Sequence, residues 1–114
     1  MPDHTITIKV HATSGDIDYI PGLLKAHRGQ TVKWRCQQGN FAVSFHDETP
    51  FDRLDLHSTN QNGPFFETDA ITVRTEAALA SYHYTVAIAV IEDIEQQQLR
   101  VFLAAGCPEV RVDG

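Results

Sequence analysis

Residues 82–91 read Y-H-Y-T-V-A-I-A-V-I, and the alternation in this stretch decides the fold class. One face of the segment carries large apolar side chains, from Tyr82, Tyr84, Val86, Ile88 and Val90. The opposite face carries smaller or more polar ones, from His83, Thr85, Ala87 and Ala89. A period of two sustained over ten residues is typical of a β-strand.

The same period recurs on both sides of this segment. It covers residues 5–12, 32–36, 41–45, 71–73, 99–104 and 110–112, and a weaker version covers 23–27. Turn-forming pairs and triplets such as Pro21-Gly22 and Arg28-Gly29-Gln30 separate the segments. About seven to eight short strands spaced in this way predict an all-β, antiparallel β-sandwich.

One stretch departs from this pattern. Residues 46–69 contain two prolines, a glycine, several acids and little periodicity. A long excursion within a compact domain is often functional. We therefore predict a single domain over residues 1–114 with a structured loop at about 46–69, since a chain of 114 residues has the usual length of one domain.

Composition limits the classes of partner and the compartment. The formal net charge is −6, and the nine basic residues form no stripe that would neutralise phosphates, so we expect no nucleic-acid partner. No basic and apolar leader opens the sequence and no apolar run is long enough to cross a membrane, which predicts a soluble cytoplasmic protein. Two cysteines, Cys36 and Cys107, are too few for a disulfide framework.

Three motifs, taken together, resemble the cupredoxin family. Residues 19–34 read Y-I-P-G-L-L-K-A-H-R-G-Q-T-V-K-W, residues 40–45 read N-F-A-V-S-F and residues 82–86 read Y-H-Y-T-V. Their order is similar to the proline-led opening, the H-N-V-x-F strand and the Y-x-[YF]-x-C strand of that family. The resemblance covers most of the chain outside residues 46–69, and it implies a Greek-key sandwich.

The copper ligands of that family are not carried over. The resemblance places Phe41 at the first histidine ligand and Val86 at the cysteine ligand, and residues 87–105 contain neither histidine nor methionine. A blue-copper centre needs two imidazoles and a thiolate. Residues 101–112 read V-F-L-A-A-G-C-P-E-V-R-V and resemble the closing hairpin and strand of small bacterial cupredoxin-like proteins that lack copper, with Cys107 at the position of an aspartate. The resemblance therefore implies that there is no cofactor.

A relocated metal or redox site is the alternative interpretation. His46 and His57 lie in the long excursion among acids that can bind metal, namely Asp47, Glu48, Asp52 and Asp55. Cys107, between Gly106 and Pro108, can act with a histidine as a second form of such a site. Cys36, which shares a strand face with Trp34, is interpreted as a buried apolar residue.

No motif indicates catalysis. No serine lies in a G-x-S-x-G context, and no nucleophile and base are paired in the sequence. We therefore predict a non-enzymatic, metal-free interaction module whose partner is another protein or a second copy of itself. Exposed aromatic side chains can anchor such a contact, and the candidates are Phe51, Phe65 and Phe66.

Overall fold

A computed structural model describes residues 2–11, 14–93, 98–103 and 108–114. These residues form β-strands and turns, without a helix that could cross a membrane. The strands are β1 His4–His11, β2 Asp16–Ile20, β3 Leu23–Ala26, β4 Thr31–Cys36, β5 Asn40–Phe45, β6 Asp55–His57, β7 Asn60–Asn62, β8 Phe65–Glu67, β9 Ile71–Thr72, β10 Ser81–Asp93, β11 Gln98–Leu103 and β12 Glu109–Val112.

The strands form two sheets that face each other across one core. The first sheet has the order β2-β1-β4-β8-β7, with β9 also paired to β4. The second sheet has the order β3-β12-β10-β5-β6, with β11 also paired to β10. The prediction of an all-β sandwich is confirmed at this level.

Two details of the predicted fold are wrong. The described residues contain twelve strands instead of seven or eight, because short strands form where the sequence shows no alternation. The sheets are mixed and not purely antiparallel, since β1 pairs parallel to β4 and β3 pairs parallel to β12. Between β1 and β4 the chain passes through β2 and then through β3 of the other sheet, and such a crossover lets β4 return in the direction of β1.

The core is built from the inward faces of both sheets. The first sheet contributes Ile6, Ile8, Val32 and Trp34, and the second contributes Phe41, Val43, Tyr84, Val86 and Ile88, all of them buried. The ring of Trp34 makes edge-on contacts with Phe45, Phe51 and Tyr84 at centroid distances of 6.2, 5.8 and 5.6 Å. Edge-on contacts between aromatic rings stabilise the fold in addition to the apolar area that they bury, and they favour one arrangement of the rings.

The predicted excursion at residues 46–69 is part of both sheets. Its first strand, β6, extends the second sheet by pairing with β5. Its other two strands, β7 and β8, form a hairpin that pairs with β4 of the first sheet. Phe51 and Leu56 from this segment are buried in the core.

Candidate functional site

The outward face of β10 is apolar around Ala87 and Ala89. Val86 and Ile88 are buried against the first sheet. Because side chains alternate along a strand, the intervening Ala87 and Ala89 point away from the core. Each of these alanines is partly exposed.

The neighbouring strands extend this apolar face on both sides. Ala87 pairs with Ala42 of β5 on one side and with Leu103 of β11 on the other. One step along the strand, Ala89 pairs with Asn40 of β5 and with Val101 of β11. We call the five apolar members of these two rows the aliphatic strip: Ala42, Ala87, Ala89, Val101 and Leu103.

The relief of the aliphatic strip is uneven. Val101 and Leu103 are 58% and 72% exposed, so β11 forms a raised edge. Two shallow hollows of about 290 Å³ each lie beside it, one lined by Leu103 and the other by Val101. Ala42 and Ala87 line both hollows, because a methyl side chain leaves the space above the sheet open.

The outer face of the first sheet has a different chemistry. Nζ of Lys33 lies 2.9 Å from a carboxylate oxygen of Glu67, and Nε of Arg35 donates a hydrogen bond to the hydroxyl of Thr7 at 2.9 Å. The guanidinium of Arg35 also stacks over the ring of Phe65 at 4.3 Å. Charged and hydrogen-bonded side chains are usual on a solvated sheet face, whereas a row of exposed aliphatic ones needs an explanation.

The three aromatic side chains predicted as contact anchors lie in different environments. Phe51 is 1% exposed and packs against Trp34 and Phe45, so the prediction of a surface role for Phe51 is wrong. Its apolar ring gains more from the core than from a solvated loop. Phe65 and Phe66 are partly buried on β8, and Phe66 packs against the core.

The two histidines predicted as metal ligands lie apart. His57 pairs with Ala42 on β5, whereas His46 follows the end of β5 four residues farther on, ~13 Å away at strand spacing. Nearer to His46 is His83, whose carbonyl oxygen accepts a hydrogen bond from the His46 amide at 3.2 Å. Nε2 of His83 in turn lies 4.0 Å from a carboxylate oxygen of Glu109.

The described residues contain no group of three or more histidine, cysteine, aspartate or glutamate side chains arranged to hold a metal ion. Cys107, the other predicted ligand, lies outside them. Cys36 is fully buried, as predicted, and burial raises the pKa of its thiol. A thiol held in its neutral form is a poor ligand and a poor nucleophile.

Three acids, Asp47, Glu48 and Asp52, line one concavity together with an arginine. Two concavities of about 480 and 470 Å³ are both lined by Arg74, Asp52 and Glu76. Nη2 of Arg74 donates to the carbonyl oxygen of Thr49 at 3.0 Å. The neighbouring Arg53 guanidinium, 3.0 Å from Asp52, lowers the pKa of that carboxyl, so it stays ionised and is unsuited to act as a general acid.

The sequence contains one signal for the aliphatic strip. Residues 86–91 read V-A-I-A-V-I, an apolar run without a polar face. Strands that are covered on both sides have this pattern, whereas half-solvated strands alternate apolar and polar residues. The strip also depends on Ala42, Val101 and Leu103, which only the pairing of β5 and β11 brings beside β10.

No protein-family model matches this chain, and no curated protein sequence is significantly similar to it.

Proposed function

We propose that this protein is a non-catalytic interaction module that contacts another protein, or a second copy of itself, through the aliphatic strip. The observation that carries the proposal is the stretch from Val86 to Val90 of β10, which is apolar on both faces although only one face meets the core. A strand of that kind is covered on both sides in its working state.

The family part of the proposal rests on the resemblance. We propose a cupredoxin-like Greek-key sandwich without a blue-copper site, similar to the small bacterial proteins that lack copper. Phe41 and Val86, at the positions of two copper ligands, are 4% and 2% exposed within the core. Apolar side chains there support a sandwich that packs without a metal.

The chemistry of the aliphatic strip favours a protein partner. Its five side chains carry no charge and present no hydrogen-bonding group, so the contact is driven by removing apolar surface from water. Interface centres are depleted in charged residues in the same way. Nucleic acid is disfavoured as a partner because the chain has a net charge of −6 and the strip offers nothing to a phosphate.

A capture experiment tests this function. The purified protein is used as bait in extract from its own source, beside a Val101→Ser/Leu103→Ser variant. We expect the double variant to lose the captured protein, because two exposed aliphatic side chains leave the strip. Leu79→Ser is the matched control, since Leu79 is 59% exposed in the turn before β10 and lies outside the strip.

Two outcomes would contradict the proposal. Equal capture by the wild type and by the Val101→Ser/Leu103→Ser variant would show that the aliphatic strip is not the contact surface. Loss of capture in Phe65→Ser instead would assign the contact to the β7–β8 hairpin. Phe66 is left unchanged in this test because it packs against the core, so that its replacement would also destabilise the fold.

A further inference from the structure

We propose that the occupant of the aliphatic strip is a second copy of this chain, packed face to face about a twofold axis parallel to β10. This inference rests on the proposed function and specifies its partner. It follows from the relief of the strip. The side chains of β11 form a raised edge, and the small side chains of β5 form a low floor on the same face of the sheet.

The strand register places edge and floor symmetrically about β10. Ala87 of β10 has Ala42 on one side and Leu103 on the other, each one strand away. Rotation about an axis above β10 and parallel to it exchanges the two sides of the strip. Each copy then places its Leu103 above the Ala42 of the other copy.

The second row repeats this relation. Ala89 lies between Asn40 and Val101, so the same rotation places Val101 of one copy above Asn40 of the other. Both raised side chains therefore enter the space above β5, where the two hollows of about 290 Å³ lie. A twofold interface requires this kind of self-complementary patch.

Charge also favours this face for self-association. Every copy has a net charge of −6, so two copies repel each other over most orientations. The strip itself carries no charge. On β6, the side chain of His57 lines the hollow that receives Val101, and Asp55 lies one step farther along the strand, opposite Ser44.

The size of the contact predicts a weak dimer. Three strands spaced ~4.8 Å apart and about six residues long cover roughly 300 Å² of sheet in projection. A standard interface buries about 800 Å² on each partner. We therefore expect a dissociation constant above about 1 µM and an oligomeric state that changes with concentration.

The test is sedimentation velocity of the purified full chain from about 5 to about 500 µM. We expect the wild-type sedimentation coefficient to rise with concentration toward that of a dimer. Leu103→Ala removes the raised side chain and Ala42→Leu fills the space that receives it, so each single variant should weaken dimerisation about tenfold or more. Leu79→Ala is the control and should dimerise like the wild type.

The double variant Ala42→Leu/Leu103→Ala gives the decisive measurement. It exchanges the large and the small side chain within each contact, so the twofold arrangement predicts recovery to within about threefold of the wild-type dissociation constant. Circular dichroism of each variant checks that the fold is retained.

Three results would overturn the inference. A wild type that stays monomeric throughout, while the Val101→Ser/Leu103→Ser variant still loses capture in extract, would assign the strip to a different protein and leave the proposed function standing. A double variant that dimerises no better than the weaker single variant would reject the arrangement of Leu103 over Ala42. If neither dimerisation nor capture depends on the strip, both proposals fail.

Discussion

Gly39 is a residue for which the fold leaves no room for a side chain. A Cβ atom on Gly39 would lie 2.1 Å from the carbonyl oxygen of Ala89, a backbone atom of β10. Gly39→Ala therefore forces β10 and the turn before β5 apart. We expect a loss of about 1–3 kcal/mol in the free energy of unfolding, the usual cost of overpacking, measured by urea denaturation.

Gly22→Ala is the matched control for that substitution. Its Cβ would meet Tyr19 at an ordinary contact distance of 3.8 Å, and Gly22 has no positive φ. We expect it to keep or slightly raise stability, because alanine restricts the unfolded chain more than glycine does. Equal losses in the two variants would contradict the close approach of Gly39 to β10.

Tyr84 makes stability depend on pH in the alkaline range. Its side chain is fully buried, and burial raises the pKa of the phenol above its usual range. The buried phenol oxygen of Tyr84 has no hydrogen-bond partner of good geometry among the described residues. The folded protein thus keeps the proton at a pH where the unfolded chain, with a tyrosine pKa of about 10, releases it.

The sign of this effect follows from proton linkage. The contribution of Tyr84 is complete below about pH 10 and is lost as the pH rises above that value, by up to about 1.4 kcal/mol per pH unit. Between about pH 9.5 and 11.5, the free energy of unfolding of Tyr84→Phe should therefore fall less than that of the wild type. At pH 7 the two values should differ little. Parallel stability profiles of the two proteins, measured by urea denaturation, would contradict the assignment.

At the scale of the elements, β4 and β8 are linked by an ion pair. The side chains of Lys33 and Glu67 are 20% and 9% exposed, and their charged atoms lie 2.9 Å apart. Loss of one partner leaves the other charge poorly hydrated. We expect Lys33→Met and Glu67→Gln each to lower the free energy of unfolding by about 1–3 kcal/mol.

A double-mutant cycle separates this pair from other effects of the two substitutions. The double variant should lose less stability than the sum of the single losses, with a coupling of about 1–2 kcal/mol in urea denaturation. Strict additivity would mean that the pair contributes nothing to the pairing of β4 with β8.

The elements that the sequence predicts are those with a regular burial pattern. In β4 and β10 the buried positions alternate over the six residues of β4 and over residues 81–88 of β10, and both strands were predicted. The strands that were missed lack such a pattern or are too short to show it. The three residues of β7 are all exposed, and β2 alternates only between exposed and intermediate positions.

Pairing explains why these weak segments still form strands. The β7 backbone bonds to β8, and β2 bonds to the outer edge of β1. Hydrogen bonds to an existing sheet satisfy their backbone groups without a buried side-chain face. The hydrophobic period of the sequence therefore cannot predict a strand that forms only because it pairs with a neighbouring strand.

At the scale of the whole molecule, the sandwich was predictable and the candidate site was not. The sequence shows the apolar run of β10, but the aliphatic strip exists only because β5 and β11 flank that strand. Phe51 is a second difference between prediction and structure, in which a predicted contact residue lies in the core. An aromatic residue in an irregular segment was expected at the surface, yet tertiary packing takes it to the ring of Trp34.

Photo-crosslinking from single positions tests most directly whether protein covers the aliphatic strip. A photoreactive amino acid is introduced at Leu103 in one variant and at the equally apolar Leu79 in another, and both are irradiated in cells. We expect a covalent protein adduct from position 103 and none from position 79, and the mass of the adduct shows whether it joins two copies. No adduct from position 103, or equal adducts from both positions, would contradict it.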